Sequence, residues 1–397
     1  MKTGTVIQFA PPRSEPPSFL DAADVARKLA PDMPVFCFSA AALRGRARLF
    51  IDSFPGEVSY AVKANASPDV LATLAETGMT LWDVASIDEM RAVRSVSTEA
   101  RFHYHNPIKS RFEIREAHVR FDCRRFAVDC LEELDKISEV IGLSSDVEIA
   151  VRFVLKRETG SSAHDFSSKF GASETEAAKL LREAADRGYR VVLTFHPGSQ
   201  CSSPAAYERH ILAAHRIADH AGVRLAALNV GGGFPADYPN SPAPPLETFF
   251  QAICTSSERA FGPSLKLECE PGRAMVASSH SLLTRIKLIR NGNEIFLNDG
   301  IYGALLECAQ VPELMPRIRT IRSGKPLQDP DQEYTIYGPT CDPLDVLPGR
   351  HRLPVKIKEG DYLEFVPVGA YGAATSTRFN GYGTRDVIPV ASWIIGA

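Results

Sequence analysis

The sequence predicts an α/β fold: a (β/α)8 barrel over residues 35–275, followed by a mostly β domain over 276–397. Residues 1–34 read as an arm packed on the second domain. Three observations lead there. A chain of 397 residues is long for one core, so two domains are expected. From about 35 to 270, short β-rich runs alternate with helix-length amphipathic segments. After about 275 the alternation stops, and strand-like runs follow one another across turn signals.

In chain order, the arm carries Pro11-Pro12 and Pro16-Pro17, then a helix-like run from Leu20 to Leu29. Barrel strands one to eight are predicted at Val58–Val62, Leu81–Val84, Arg101–Tyr104, Arg125–Val128, Val147–Val154, Arg190–Phe195, Ala226–Val230 and Ser264–Cys269. Helices are predicted near 68–77, 86–96, 110–118, 131–141, 174–187, 204–221 and 246–261. A barrel is the simplest closure of eight such units and fits the ~250 residues typical of one. A doubly wound open sheet accommodates the same order, and no sequence repeat decides between them. The second domain is predicted to hold strands at Ser281–Ile289, Glu294–Asn298, Tyr334–Tyr337, Tyr362–Val366 and Val387–Trp393. Asn291-Gly292, Ser323-Gly324, Pro348-Gly349 and Glu359-Gly360 separate them as turns.

A net charge of -3 provides no field for nucleic acid or an anionic membrane. The eight cysteines are scattered, with no CxxC pair, which argues against a zinc site and against a disulfide framework. No metal is expected. The N-terminus has no apolar run of signal-peptide length, and no run reaches the ~18 apolar residues of a membrane span. A soluble, cytoplasmic protein is the expectation.

Chemistry in a barrel sits at the carboxyl ends of its strands. Strand one runs into Tyr60-Ala61-Val62-Lys63-Ala64-Asn65, strand two ends at Asp83, and strand five contains Arg152. Strand six runs into His196-Pro197-Gly198-Ser199, strand seven into Gly231-Gly232-Gly233, and strand eight into Glu270-Pro271-Gly272-Arg273. By position alone Lys63 is a solvated strand end, His196 a core or surface histidine, and the triple glycine a turn. Together they suggest more. Backbone N–H groups of a glycine run can approach an anion closely, and the arginine fork of Arg273 suits phosphate. A phosphate cradle, a lysine and a carboxylate on one face suggest pyridoxal 5'-phosphate (PLP), bound to the lysine as a Schiff base. The carboxylate then faces the ring nitrogen, with Glu270 the natural candidate and His196 placed to stack on the ring. In the second domain, Cys341-Asp342 and the Gly- and aromatic-rich Gly369–Gly372 and Phe379–Tyr382 stand out. Plain readings exist for these too: a small buried hydrophobe beside a loop acid, and a β-turn region.

These residues resemble the group IV, fold-type III PLP decarboxylases, which act on ornithine, lysine or diaminopimelate and are relatives of alanine racemase. The match spans roughly 35–383 and keeps motif order: Tyr60–Asn65, Asn106–Lys109, Ser168–Gly171, Phe195–Ser199, Gly231–Pro235, Glu270–Arg273, Asp299-Gly300, Gly338–Asp342, Gly369–Tyr371 and Phe379–Tyr382. The resemblance implies an alanine-racemase-like barrel and a homodimer with shared active sites. It implies Lys63 as the Schiff-base residue, His196 on the ring and Glu270 at its nitrogen. Asp83, Arg152, Ser199, Gly231, Gly232, Gly233, Gly272, Arg273 and Tyr371 complete the implied cofactor site, several of them around the phosphate. Cys341 would return a proton to the carbon that loses carbon dioxide, and Asp342 would receive the distal ammonium, with Tyr302 and Phe379 beside the substrate.

The implied reaction turns a basic L-amino acid, ornithine or lysine, into a polyamine-type amine. Glu270 separates this pattern from alanine racemase, where an arginine stands. Cys341-Asp342 favours ornithine or lysine over diaminopimelate. Two departures stand out: Pro197 replaces the usual valine, and Gln310 and Val311 occupy the place of an expected substrate-binding acid, flanked by Glu307 and Glu313. That second departure motivates an alternative, a same-fold decarboxylase of a modified amino acid. A racemase and a catalytically silent regulatory homologue are further alternatives.

Overall fold

The structure, a computed structural model, describes residues 19–155 and 169–391. The paired prolines of the arm, Ser168 and Trp393 lie outside the described residues.

The barrel strands are Glu57–Val58 with Tyr60–Ala61, Leu81–Val84, Arg101–Tyr104, Arg125–Val128, Glu148–Arg152, Arg190–Thr194, Ala227–Asn229 and Leu267–Cys269. All their pairings are parallel. Strand one is split at Ser59: its first half pairs with strand eight and its second with strand two. The N–H of Ser59 donates to Cys269 O at 2.9 Å, keeping the strand in the ring across the break. The sheet is therefore a closed ring of eight positions rather than an open doubly wound sheet.

Alternation along the strands fills the ring. Ala127, Ala150, Val192 and Ala227 form a small cluster of their own, apart from the large core between strands and helices. Two residues earlier come Arg125 and Glu148, and Arg125 also grips Glu268 from strand eight. Two residues later come Arg152, Thr194 and Asn229. A charged network therefore closes the amino end, an apolar layer fills the middle, and polar groups emerge at the carboxyl end.

The seven expected helices are present, from Pro68–Glu76 to Leu246–Phe261. Ser110 and Ser173 start two of them with capping boxes to Glu113 and Glu176. Strand eight is followed only by the short helix Arg273–Val276. The eighth helical position is taken by Ala40–Ser53, which precedes strand one and packs between Pro68–Glu76 and Arg273–Val276.

The second sheet runs in the order Lys325–Pro326, Arg317–Arg322, Tyr362–Val366, His280–Arg290, Glu294–Leu297, Asp331–Tyr337, His351–Pro354. Val35–Phe38 pairs antiparallel with His280–Arg290, and Val387–Pro389 pairs with Val35–Phe38. Residues 35–38, which the sequence assigns to the barrel, thus lie in the second sheet. Every residue of that strand is buried, which suits a place between two neighbours. Helix Ala22–Lys28 packs its alanines and Val25 on the same sheet, against Leu283, Ile321 and Tyr362. Among the described residues no helix is long and apolar enough to cross a membrane.

Candidate active site

The stretch from Tyr60 to Asn65 shows why its residues follow in that order. The Tyr60 hydroxyl donates to Asn65 O at 3.0 Å, bending the strand end back. Val62–Ala64 form a 3-10 turn that buries Val62 and Ala64 and leaves the Lys63 side chain 48% exposed to a cavity. Asn65 Nδ2 donates to Gly369 O at 2.9 Å, and Ala64 O accepts the N–H of Tyr371 at 2.8 Å. The strand-one end is therefore bolted to a loop of the second domain.

The cavity has a volume of about 420 Å³, within the range of small-ligand sites. Of the residues predicted for the cofactor, Lys63, Asp83, Arg152, His196, Ser199, Gly232, Gly233, Glu270, Gly272, Arg273 and Tyr371 all line it. Gly231 lies behind the wall. It has φ +69°, and a Cβ there would sit 2.0 Å from Phe195 O. Gly232 and Gly233 are equally constrained: their Cβ atoms would meet Glu270 O at 2.7 Å and Gly198 O at 2.4 Å. Strand ends six, seven and eight thus come together only because the run carries no side chains.

One wall of the cavity is acidic. Lys63 Nζ is 3.8 Å from Asp83 Oδ2. Glu270 Oε1 accepts from Asn229 Nδ2 at 2.6 Å and is hydrogen-bonded to His105 Nδ1. Burial and then Glu270 push the Asp83 carboxyl up to about 7. Burial pushes Glu270 up as well, but the charge and hydrogen bond of His105 outweigh it and hold Glu270 at about 2. Burial acts to lower the Lys63 ammonium; Asp83, Tyr371 and Glu270 reverse the sign and raise it. His196 is lowered to about 3 by burial and then by Lys63 and Arg152, so it is neutral at pH 7. Its Nδ1 accepts the N–H of Gly198 at 3.1 Å, so Pro197 leaves this turn intact. Ligand atoms of Asp83, His105 and Glu270 lie within 4.8 Å of one another, a set able to enclose a metal ion or a protonated nitrogen. A metal needs neither the lysine nor the arginine at the other wall.

That other wall is cationic. Arg273 is buried; its Nε and Nη2 donate to Ser199 Oγ, both at 3.3 Å, and its guanidinium lies 4.9 Å from the Tyr371 ring centroid. Nη1 and Nη2 also pair with Glu307 at 2.7 and 2.5 Å.

Four predicted residues lie elsewhere. Tyr302, Cys341, Asp342 and Phe379 are not in the cavity wall. They form a cluster on the second domain: Tyr302 donates to Asp342 Oδ2 at 2.5 Å, and its ring is 4.9 Å from that of Phe379. Cys341 is exposed and its thiol donates to Asn380 Oδ1 at 3.3 Å. Two residues that hold Glu270, His105 in the wall and Asn229 buried behind it, are absent from the sequence prediction. Each closes or follows a barrel strand, so the carboxyl-end rule, applied to strands three and seven, points to both.

Residues 40–277 match the family described as pyridoxal-dependent decarboxylase, pyridoxal binding domain. The chain belongs to this family. This decarboxylase is 34% identical over 334 residues to the lysine/ornithine decarboxylase of Selenomonas ruminantium, covering 82% of this chain and 81% of the relative. A crystal structure of SrLDC in complex with PLP and cadaverine superposes with a TM-score of 0.79 at 28% identity, covering 92% of this chain and 91% of that one. The lysine/ornithine decarboxylase of Vibrio vulnificus complexed with putrescine gives a TM-score of 0.79 at 27% identity, covering 94% and 99%. The decarboxylase uses PLP, and the cavity fits it. A lysine stands where an aldehyde can be held, a buried acid where a protonated nitrogen needs a partner, and a glycine-lined, arginine-bearing wall where a phosphate can dock.

Proposed function

We propose that this decarboxylase acts on a basic L-amino acid, ornithine or lysine in the first place, to give the diamine and carbon dioxide. The observation that carries the proposal is the tethered carboxylate of Glu270 beside Lys63. Bound PLP supplies an electron sink for the carbon that loses carbon dioxide. A buried, hydrogen-bonded carboxylate stabilises a proton on a ring nitrogen, and an arginine in its place would repel one. Lys63 would hold the aldehyde end, and neutral His196 would lie against the ring without adding charge. Ser199, Gly233, Gly272, Arg273 and Tyr371 receive the phosphate, and Asp83 and Arg152 set the field around Lys63.

The far end of the substrate needs an anion. Gln310 and Glu307 line the cavity, but Glu307 is paired bidentately with Arg273. We therefore assign the distal ammonium to Asp342, with Tyr302 and Phe379 beside it, and the returning proton to the thiol of Cys341. These four stand apart from the Lys63 cavity, which supports the reading that a second copy of the chain brings them and that the active unit is a homodimer with shared sites. Phe379 within the cluster and Leu344 near Asp342 are both exposed and suit such a contact. All eight cysteines are unpaired, which supports a cytoplasmic setting.

Purified protein loaded with PLP should be yellow, and borohydride should fix the chromophore on Lys63. Carbon dioxide should be released from ornithine or lysine in a panel of amino acids. A yellow protein inert toward every basic amino acid would overturn the substrate assignment in favour of a modified amino acid. A protein that never takes up PLP would overturn the whole proposal.

A further inference from the structure

His105 lies outside the roles assigned above. It follows barrel strand three, is only 8% exposed and lines the cavity floor. Its Nδ1 is hydrogen-bonded to Glu270 Oε1 and lies 3.7 Å from Asp83 Oδ1. Its Nε2 is buried without a hydrogen-bond partner. A buried ring nitrogen without a partner costs stability, and an apolar residue would avoid that cost. The position therefore uses an imidazole for what its other nitrogen does.

What Nδ1 does is restrain a carboxylate. Glu270 Oε1 receives Asn229 Nδ2 from strand seven at 2.6 Å and His105 Nδ1 from strand three. Asn229 is itself held, its Oδ1 accepting the N–H of Gly231 at 2.8 Å. Donors from two sides on the same oxygen stop the carboxylate from rotating and leave Oε2 for a ligand. A carboxylate accepts only, so Nδ1 carries the proton.

We propose that His105 is a positioning residue: with Asn229 it locks Glu270 so that Oε2 meets the ring nitrogen of PLP and holds that nitrogen protonated. The inference rests on the role of Glu270 proposed above. Asp83 and the His103 ring, 5.2 Å from that of His105, are the other titratable groups facing the imidazole on this floor.

The test uses PLP labelled with 15N in the ring, loaded into the full-length enzyme, with the 15N chemical shift reporting protonation. The wild type should show a protonated nitrogen, and Glu270→Gln a largely deprotonated one. His105→Ala should move the shift toward the deprotonated value and lower kcat about tenfold, the low end for losing an outer partner that orients a ligating group, with KM changed less than about twofold. His105→Asn, whose amide can still donate to Oε1, should restore most of both. If Glu270→Gln moves the shift and His105→Ala does not, His105 is merely structural and the inference falls alone. If neither moves it, the role of Glu270 falls and takes the inference with it. Should His105→Ala fail to load PLP, His105→Gln replaces it, and a wild-type shift with reduced kcat there overturns the inference equally.

Discussion

An arginine fork has two edges to offer, and Arg273 uses both. Its Nη1–Nη2 end is taken by Glu307, and its Nε–Nη2 edge faces Ser199. Burial alone would lower the guanidinium pKa; Tyr238, Glu307 and Tyr371 raise it instead. Glu307 thus holds the cation against Ser199 on the cavity wall proposed to receive the phosphate. Glu307→Gln should weaken PLP binding about fivefold, roughly 1 kcal/mol for exchanging a charged hydrogen-bonded partner for a neutral one. Turnover at saturating PLP should stay within about twofold. Equilibrium dialysis against PLP reads the first; tighter binding in the variant would mean that Glu307 competes with phosphate rather than aiming Arg273. In the sequence Glu307 stands only as a carboxylate near the missing substrate acid. Its pairing with a residue 34 positions earlier follows no period a sequence displays.

The elements were more legible than the pairings between side chains. Four strands, Leu81–Val84, Arg101–Tyr104, Arg125–Val128 and Tyr362–Val366, have the predicted ends, because compact β-rich runs are cut off sharply by turns or caps. Helix Ala40–Ser53 is not marked in the sequence: it buries only Leu43, Ala47 and Phe50, and Gly45 and three arginines interrupt its apolar pattern. Strand Arg317–Arg322 is not marked either, because arginines alternate through it, and Arg319 is balanced by the buried Glu364 of the next strand. In the sequence the glycine run suggests an anion cradle, but its first demand is steric. Gly231→Ala should destabilise by about 2–4 kcal/mol, summing an unfavourable positive φ and a backbone clash. Gly45→Ala, with open space around it, should be neutral or stabilise by up to about 1 kcal/mol. Urea denaturation midpoints compare the two; equal shifts would show that the strand-end clash at Gly231 is relieved by movement.

At the scale of the whole molecule, the two sheets meet where Asn65 and Ala64 hold the Gly369–Tyr371 loop, so the second domain contributes Tyr371 to the cavity wall. The same domain carries Cys341 and Asp342 on its exterior, 278 positions or more beyond Lys63 in the chain and outside its cavity. If one chain supplies the lysine and its partner the thiol, two differently damaged chains must rescue each other. Lys63→Ala and Cys341→Ala should each give little amine. Unfolded together at equal amounts and refolded, they should form mixed dimers as half of all dimers, each with one undamaged site of two. Amine output should therefore recover to about a quarter of the wild-type level, as random pairing in a two-fold dimer requires. Recovery should rise with an excess of neither variant and disappear when the two are assayed without subunit exchange. If lysine and thiol act within one chain, every site in the mixture carries a defect, and the output stays at the mean of the two single variants.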